Sequence, residues 1–162
     1  CTRLFLGDSS TRLSIKIISL TSKGRGFGLP LEISGENQWF GDVSISRPMK
    51  DITLKEIGIY NHYMGFESVL IPSMTSMLPP KASIERLTED FIVGLEKNYP
   101  STVSTVVRTG SKLSLQNSVN TEDRCAVCLM PRQKGNRNWK NRITVMKIPS
   151  LSITTKISQG QK

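Results

Sequence analysis

Apolar positions along this chain fall into short clusters separated by polar, glycine-rich or proline-rich breaks. Arg3-Leu4-Phe5-Leu6-Gly7 is a brief apolar run closed by a turn, the pattern of a short buried strand. Gly7-Asp8-Ser9-Ser10 supplies that turn and candidate helix caps. From Thr11 to about Ser22, Leu13, Ile17 and Leu20 recur at helical spacing. Gly24, Gly26 and Gly28 end this helix. A second strand is expected over Val43–Arg47, terminated by Pro48. Thr53-Leu54-Lys55-Glu56 is a capping box that opens a helix carrying Leu54, Ile57, Tyr60 and Met64, with Gly65 as its stop. After a linker marked by Pro72, Pro79 and Pro80, Ser83 caps a longer helix with the stripe Ile84, Leu87, Phe91 and Leu95. Pro100-Ser101 stops that helix and starts another, with Val103, Val106, Val107, Gly110 and Leu113 on one face. A polar loop over 114–124, a Cys-x-x-Cys pair and a basic tail complete the chain, and no internal repeat is visible.

Strands alternating with helices predict an α/β fold built on a parallel sheet. Two strands cannot form such a sheet, so the pattern is that of an incomplete, C-terminal part of a parallel-sheet domain followed by helices. The chain opens on Cys1, directly before the first strand, and is expected to begin inside a domain. A half-sheet of this kind exposes an edge and an apolar face, so the chain by itself is expected to fold poorly.

The formal charge of +9 points first to a nucleic-acid partner, but its distribution changes that picture. Residues 1–50 carry 7 basic and 4 acidic side chains, 51–113 carry 6 and 7, and 114–162 carry 9 and 2. The excess sits in the tail, which reads as a solvated, disordered extension, so it is no argument for RNA binding. Three cysteines do not make a secreted disulfide framework, and a reducing compartment fits better. No apolar run is long enough to span a bilayer, and no membrane association is expected.

Candidate chemistry lies at the carboxyl ends of the two strands, where parallel sheets place ligands. After the first strand, Gly7, Asp8 and the following helix start could bring backbone N–H groups and Arg12 to an anion. After the second, Arg47-Pro48-Met49-Lys50-Asp51 could bring Arg47 to the same place. The plainer alternative is that Asp8 and Ser9 cap a helix and Arg12 is solvated. Gly24-Arg25-Gly26-Phe27-Gly28 is better read as a connection than as a phosphate loop, because it follows a helix rather than a strand. His62, the one histidine, excludes any site needing two, and beside Tyr60 and Tyr63 it reads as a packed or solvated side chain. Cys125 and Cys128 are half the ligand set of a tetrahedral zinc site. Two structural thiols and half a zinc knuckle remain open, and zinc would need ligands from outside this chain.

Gly-Asp-Ser-Ser-Thr-Arg-Leu over 7–13, with Lys16 and Gly24-Arg25-Gly26, resembles the cytoplasmic tRNA 2-thiolation protein 2 family. The resemblance continues through Gly41-Asp42-Val43, Arg47-Pro48-Met49-Lys50-Asp51, Lys55-Glu56-Ile57 and Tyr60-Asn61. It resumes at Tyr99-Pro100-Ser101-Thr102-Val103-Ser104-Thr105 and Arg108-Thr109-Gly110-Ser111-Lys112-Leu113, and reaches Cys125-x-x-Cys128. The order and spacing of these pieces over residues 1 to about 131 make the match specific. From about Gln133 onward the chain no longer resembles the family.

The resemblance implies a cytosolic complex that replaces an oxygen of the wobble uridine of certain tRNAs with sulfur delivered by a ubiquitin-like carrier. It implies a catalytic tRNA-thiolating sister subunit and an N-type ATP-pyrophosphatase-like fold, with the protein itself a non-catalytic partner. On that view residues 1–80 are the C-terminal part of a degenerate ATP-pyrophosphatase-like domain, 81–131 a helical segment ending in the cysteine pair, and 132–162 a basic tail. The Ser-Gly-Gly-type PP-loop is absent from this chain. Where sister enzymes carry paired acids after the glycine, Ser9, Ser10 and Thr11 follow a single Asp8, removing the carboxylate pair that would organise a metal-bound nucleotide. The chain is therefore expected to lack a complete active site, and no cofactor is assigned to it. The alternative is a protein that thiolates tRNA itself, through a PP-loop outside this chain. A third class, a helical docking module over 83–131 finished by a metal knuckle, is compatible with the first.

Overall fold

The computed structural model describes residues 2–40, 43–69, 71–72, 74, 77–115, 123–127, 130–131 and 135–144. The chain divides into two compact units, Cys1–Arg132 and Gln133–Lys162. The first is mixed α/β, a three-stranded sheet with helices.

Its strands are β1 (Arg3–Phe5), β2 (Glu36–Phe40) and β3 (Val43–Ser46), in the order β1-β3-β2. β1 pairs parallel with β3, in register Arg3 with Ser44, Leu4 with Ile45 and Phe5 with Ser46. The Leu6 N–H extends this ladder to the Ser46 carbonyl at 2.9 Å. β2 pairs antiparallel with the other side of β3, with a register break between Asn37 and Phe40. The sheet is thus mixed, and β2 was not expected: Glu-Asn-Gln-Trp-Phe has no apolar alternation, so it becomes a strand through its partner rather than its own pattern. β1 was expected to be buried. Its three residues are exposed instead, Phe5 at 64%, because the strand is an edge paired on one side only.

Between β1 and β2 the chain forms α1 (Ser10–Ser22), a single helical turn over Gly26–Gly28, and α2 (Leu29–Ile33). Pro30 sits in the first turn of α2, where its missing N–H has no helical partner to lose. The glycine stretch is therefore a structured entry to a helix. α3 (Leu54–Met64) follows β3, and then come α4 (Ile84–Asn98) and α5 (Ser101–Ser111).

The core forms where α1 meets α2 and α5. Leu13, Ile17 and Leu20 of α1, the stripe legible in the sequence, bury against Leu29, Ile33 and Val107, with Val106 alongside. Gly110 lets α5 approach closely: a Cβ there would lie 2.7 Å from Ile17 Cδ1 and 3.0 Å from Ile33 Cδ1. Small buried residues on α1, among them Ser14 with its hydroxyl donating to the Thr11 carbonyl at 2.8 Å, keep its surface shallow.

α4 has the expected period but a different face. It buries Thr88 and Ile92, while Ile84, Leu87 and Phe91 are exposed. Its start is as read: Ser83 caps it, accepting from the Arg86 N–H at 3.1 Å. Lys23, just past α1, pairs with Glu85 in the first turn of α4. The Arg86 side chain reaches Glu89 at 3.0 Å and Asp90 at 3.4 Å.

α3 buries none of its residues, and Leu54, Tyr60 and Met64 are exposed. Its ends are as the sequence predicts. The capping box is complete, and Gly65 closes the helix at φ 66° in the left-handed region. The Thr53 N–H donates to Glu56 Oε2 at 2.7 Å, its hydroxyl donates to the same oxygen at 2.8 Å, and the Glu56 N–H returns to Thr53 Oγ1 at 3.2 Å. The Thr53 backbone N–H, then its hydroxyl, hold the Glu56 carboxyl below the usual carboxylate value. Because the folded-state value is depressed, the stabilisation is complete above the unfolded glutamate value and lost as pH falls through the folded one. The Thr53 amide proton resonance is expected to titrate with Glu56 at a midpoint below that of ordinary glutamates. Thr53→Ala should move that midpoint up and destabilise the protein by about 1 kcal/mol. An unmoved midpoint would refute the hydroxyl's share, since the variant keeps the Thr53 backbone N–H.

In the second unit, Asn136–Ile143 form a helix, α6, entered through Gly135 at φ 78°. This lies inside the stretch read as a disordered extension. Residues 145–162 are outside the described residues. No helix among the described residues is long and apolar enough to cross a membrane.

Candidate functional site

Parallel pairing of β1 with β3 sets their carboxyl ends side by side, so Gly7–Arg12 and Arg47–Asp51 become neighbours. Three further bonds fasten these turns to α1 and α3. The Ser10 N–H donates to the Ile52 carbonyl at 2.8 Å. The Leu54 N–H, at the start of α3, donates to Thr11 Oγ1 at 3.1 Å. Ser9 caps α1 by accepting from the Arg12 N–H at 3.3 Å.

At the centre is an ion pair. Arg47 Nε donates to Asp8 Oδ2 at 3.1 Å, and a second guanidinium N–H donates to the Ser34 carbonyl at 2.8 Å. The Arg47 N–H also donates to the Gly35 carbonyl at 2.8 Å. Arg47 is 5% exposed and the Asp8 side chain 20%. The other carboxylate oxygen of Asp8 faces Arg12 Nε at 3.8 Å, across an exposed Arg12 side chain. The structure therefore brings Asp8, Arg12 and Arg47 together, with Arg47 turned inward. Its fork ties β3 to β1 and to the residues before β2. Gly7 is exposed, and a Cβ at that position would meet open space, so no close approach demands glycine there.

Beside this clamp is a surface recess of about 310 Å³, lined by Ser10, Lys50, Asp51, Ser104, Val107, Arg108 and Ser111. A smaller one of about 160 Å³ shares Lys50 and Ser111 and runs along Gly35 and Gly110. Sequence reasoning did not assemble the first recess. Its residues come from three separated segments: strand pairing sets Ser10 beside Lys50 and Asp51, and the packing of α5 on α1 adds Ser104, Val107, Arg108 and Ser111.

Of the cysteine pair, Cys125 is half-buried in a tight reversal. Its N–H donates to the Met130 carbonyl at 2.9 Å, and Arg124 bridges to Pro131. Cys1 and Cys128 lie outside the described residues. Among the described residues no three His, Cys, Asp or Glu side chains cluster as metal ligands would. His62 is exposed in the last turn of α3, edge-on to Tyr63 at 6.0 Å.

The sequence model described as "Cytoplasmic tRNA 2-thiolation protein 2" matches residues 83–161. The Xenopus laevis protein named cytoplasmic tRNA 2-thiolation protein 2-A is 39% identical over 134 residues, covering 80% of this chain and 26% of its own length. The Homo sapiens cytoplasmic tRNA 2-thiolation protein 2 is 45% identical over 111 residues, 68% of this chain and 22% of its own. The Danio rerio protein of that name is 40% identical over 134 residues, 78% and 27% respectively. The chain belongs to the cytoplasmic tRNA 2-thiolation protein 2 family. It spans about a quarter of the length of these curated relatives. No solved structure matches it. The family match corrects one expectation: it runs to residue 161, past Gln133, where the motif reading ends. That stretch carries no motif of fixed spacing, so its kinship is visible only to a comparison that weighs whole segments.

Proposed function

We propose that this protein serves in cytosolic tRNA 2-thiolation as a subunit that supports a catalytic partner, and does not itself activate the uridine. The observation that carries this reading is the engagement of Asp8. A carboxylate at the end of a parallel strand organises a metal-bound nucleotide only if its oxygens are available. Here one oxygen is committed to a buried guanidinium and the other faces a second one. The Asp8 charge is thus neutralised internally and serves to hold the turn. The parallel pairing of β1 with β3 supports assigning residues 1–80 to the C-terminal part of a degenerate ATP-pyrophosphatase-like domain. The word "cytoplasmic" in the relatives' names supports the compartment. tRNA and a ubiquitin-like sulfur carrier are reached through the complex.

The test is disruption of the gene, with 2-thiolated wobble uridine quantified by mass spectrometry of digested tRNA. Loss of the modification to background is expected, restored by the wild-type gene. Unchanged thiolation would refute the reading. The division of labour is tested with purified protein, ATP, tRNA and a sulfur donor. No thiouridine should form until the catalytic partner is added, and formation without it would favour a protein that thiolates tRNA itself.

A further inference from the structure

Ser10 is the first residue of α1, only 2% exposed, and its hydroxyl is buried without a hydrogen-bond partner among the described residues. An orphaned buried hydroxyl costs about 1–3 kcal/mol of desolvation unless something fills its bonding capacity. Ser10 also lines the 310 Å³ recess, where the hydroxyl-bearing Ser104 and Ser111, Lys50 and Arg108 converge with it. Among the described residues neither Lys50 nor Arg108 forms an ion pair, although seven such pairs form elsewhere. Asp51 is the one carboxylate in the lining, so the recess is net cationic and lacks the oxygen ligands of a divalent-cation site. Lys50 is held in place by its stem, which lies across Gly35: a Cβ there would come within 3.2–3.4 Å of its Cδ, Cε and Nζ.

We propose that the recess between α1, α5 and the turn after β3 binds a phosphate group, with Arg108 and Lys50 as its cationic grip and Ser10 as a hydroxyl donor at its floor. Arg108 presents the planar fork suited to an oxyanion, and Lys50 the point charge that complements it. The volume lies at the lower end of small-molecule sites, about 300 Å³, which suits a phosphate with part of the group it is attached to. That group is a nucleotide or the backbone of RNA. The inference stands apart from the subunit reading, since it concerns an anion and not the thiolation reaction.

The experiment titrates the whole purified protein with inorganic phosphate at constant ionic strength, reading phosphorus-31 line broadening, with chloride as the control salt. Saturable broadening is expected. Arg108→Gln, an exposed change on α5, should weaken it about tenfold or more. Ser10→Ala should weaken it about threefold or more while leaving the unfolding midpoint in phosphate-free buffer unchanged or raised, because the orphaned hydroxyl is gone. Displacement of phosphate by AMP assigns a terminal phosphate, and displacement by an oligoribonucleotide without one assigns the backbone. The proposal is overturned if neither displaces phosphate, or if Arg108→Gln broadens it as the wild type does. It is equally overturned if Ser10→Ala lowers the unfolding midpoint and leaves phosphate affinity untouched.

Discussion

Asp8→Ala is expected to destabilise the protein by about 3 kcal/mol or more in urea denaturation, because it strands Arg47. The cost follows from what remains, not from the attraction lost. Arg47 is 5% exposed, and without Asp8 the contact it keeps is one bond to the Ser34 carbonyl at 2.8 Å. A guanidinium cannot escape by losing its proton, so its charge stays buried and short of partners. Arg12, whose side chain is largely in water, should matter far less: Arg12→Ala is expected to change stability by under about 1 kcal/mol. The decisive comparison is the double variant Asp8→Ala with Arg47→Met, which removes both charges and keeps an apolar stem at position 47. It should recover at least half of what the single Asp8 change loses. If the double variant is as unstable as the sum of its singles, the pair is not coupled and Arg47 is held by its carbonyl contacts alone. A residue that clamps the turn should, when replaced, lower the amount of folded protein.

What the sequence disclosed follows the range of the interactions involved. Caps depend on residues three or four apart, and Thr53 with Glu56, Ser83, and Gly65 each end or begin a helix where local chemistry places them. The α1 stripe was legible because one apolar face dominates that helix and the core forms on it. β2 was not legible, because Glu36 and Asn37 gain their extended form from bonds to β3. The burial of Arg47 was not legible, because it depends on a carboxylate 39 residues away. The recess at Ser10, Lys50 and Arg108 is the extreme case, since no spacing rule links Arg108 to the two strand ends and only the packing of α5 on α1 brings it there. At the second strand end the Arg47 guanidinium is engaged by Asp8 and the Ser34 carbonyl, while Lys50, three residues further on, forms no ion pair among the described residues.

The face of α4 gives the second large effect and the sharpest test of where sequence periodicity stops. Ile84, Leu87, Phe91 and Leu95 satisfy a helical stripe, and on that pattern Phe91 would be the residue to protect. In the structure Ile92 is fully buried and Phe91 is 55% exposed, so the helix is turned to meet α1 through Thr88 and Ile92. Thr88 fits that interface because its hydroxyl is satisfied within the helix, donating to the Ile84 carbonyl at 2.6 Å. Ile92→Ala should then cost about 2–5 kcal/mol, through lost burial and a cavity between the helices. Phe91→Ala should cost under about 1 kcal/mol despite deleting the larger side chain, since surface substitutions away from special features change little. Urea denaturation of the two variants decides between faces. If Phe91→Ala is the more damaging change, α4 packs by the stripe its sequence displays, and Phe91 is covered by protein rather than by water.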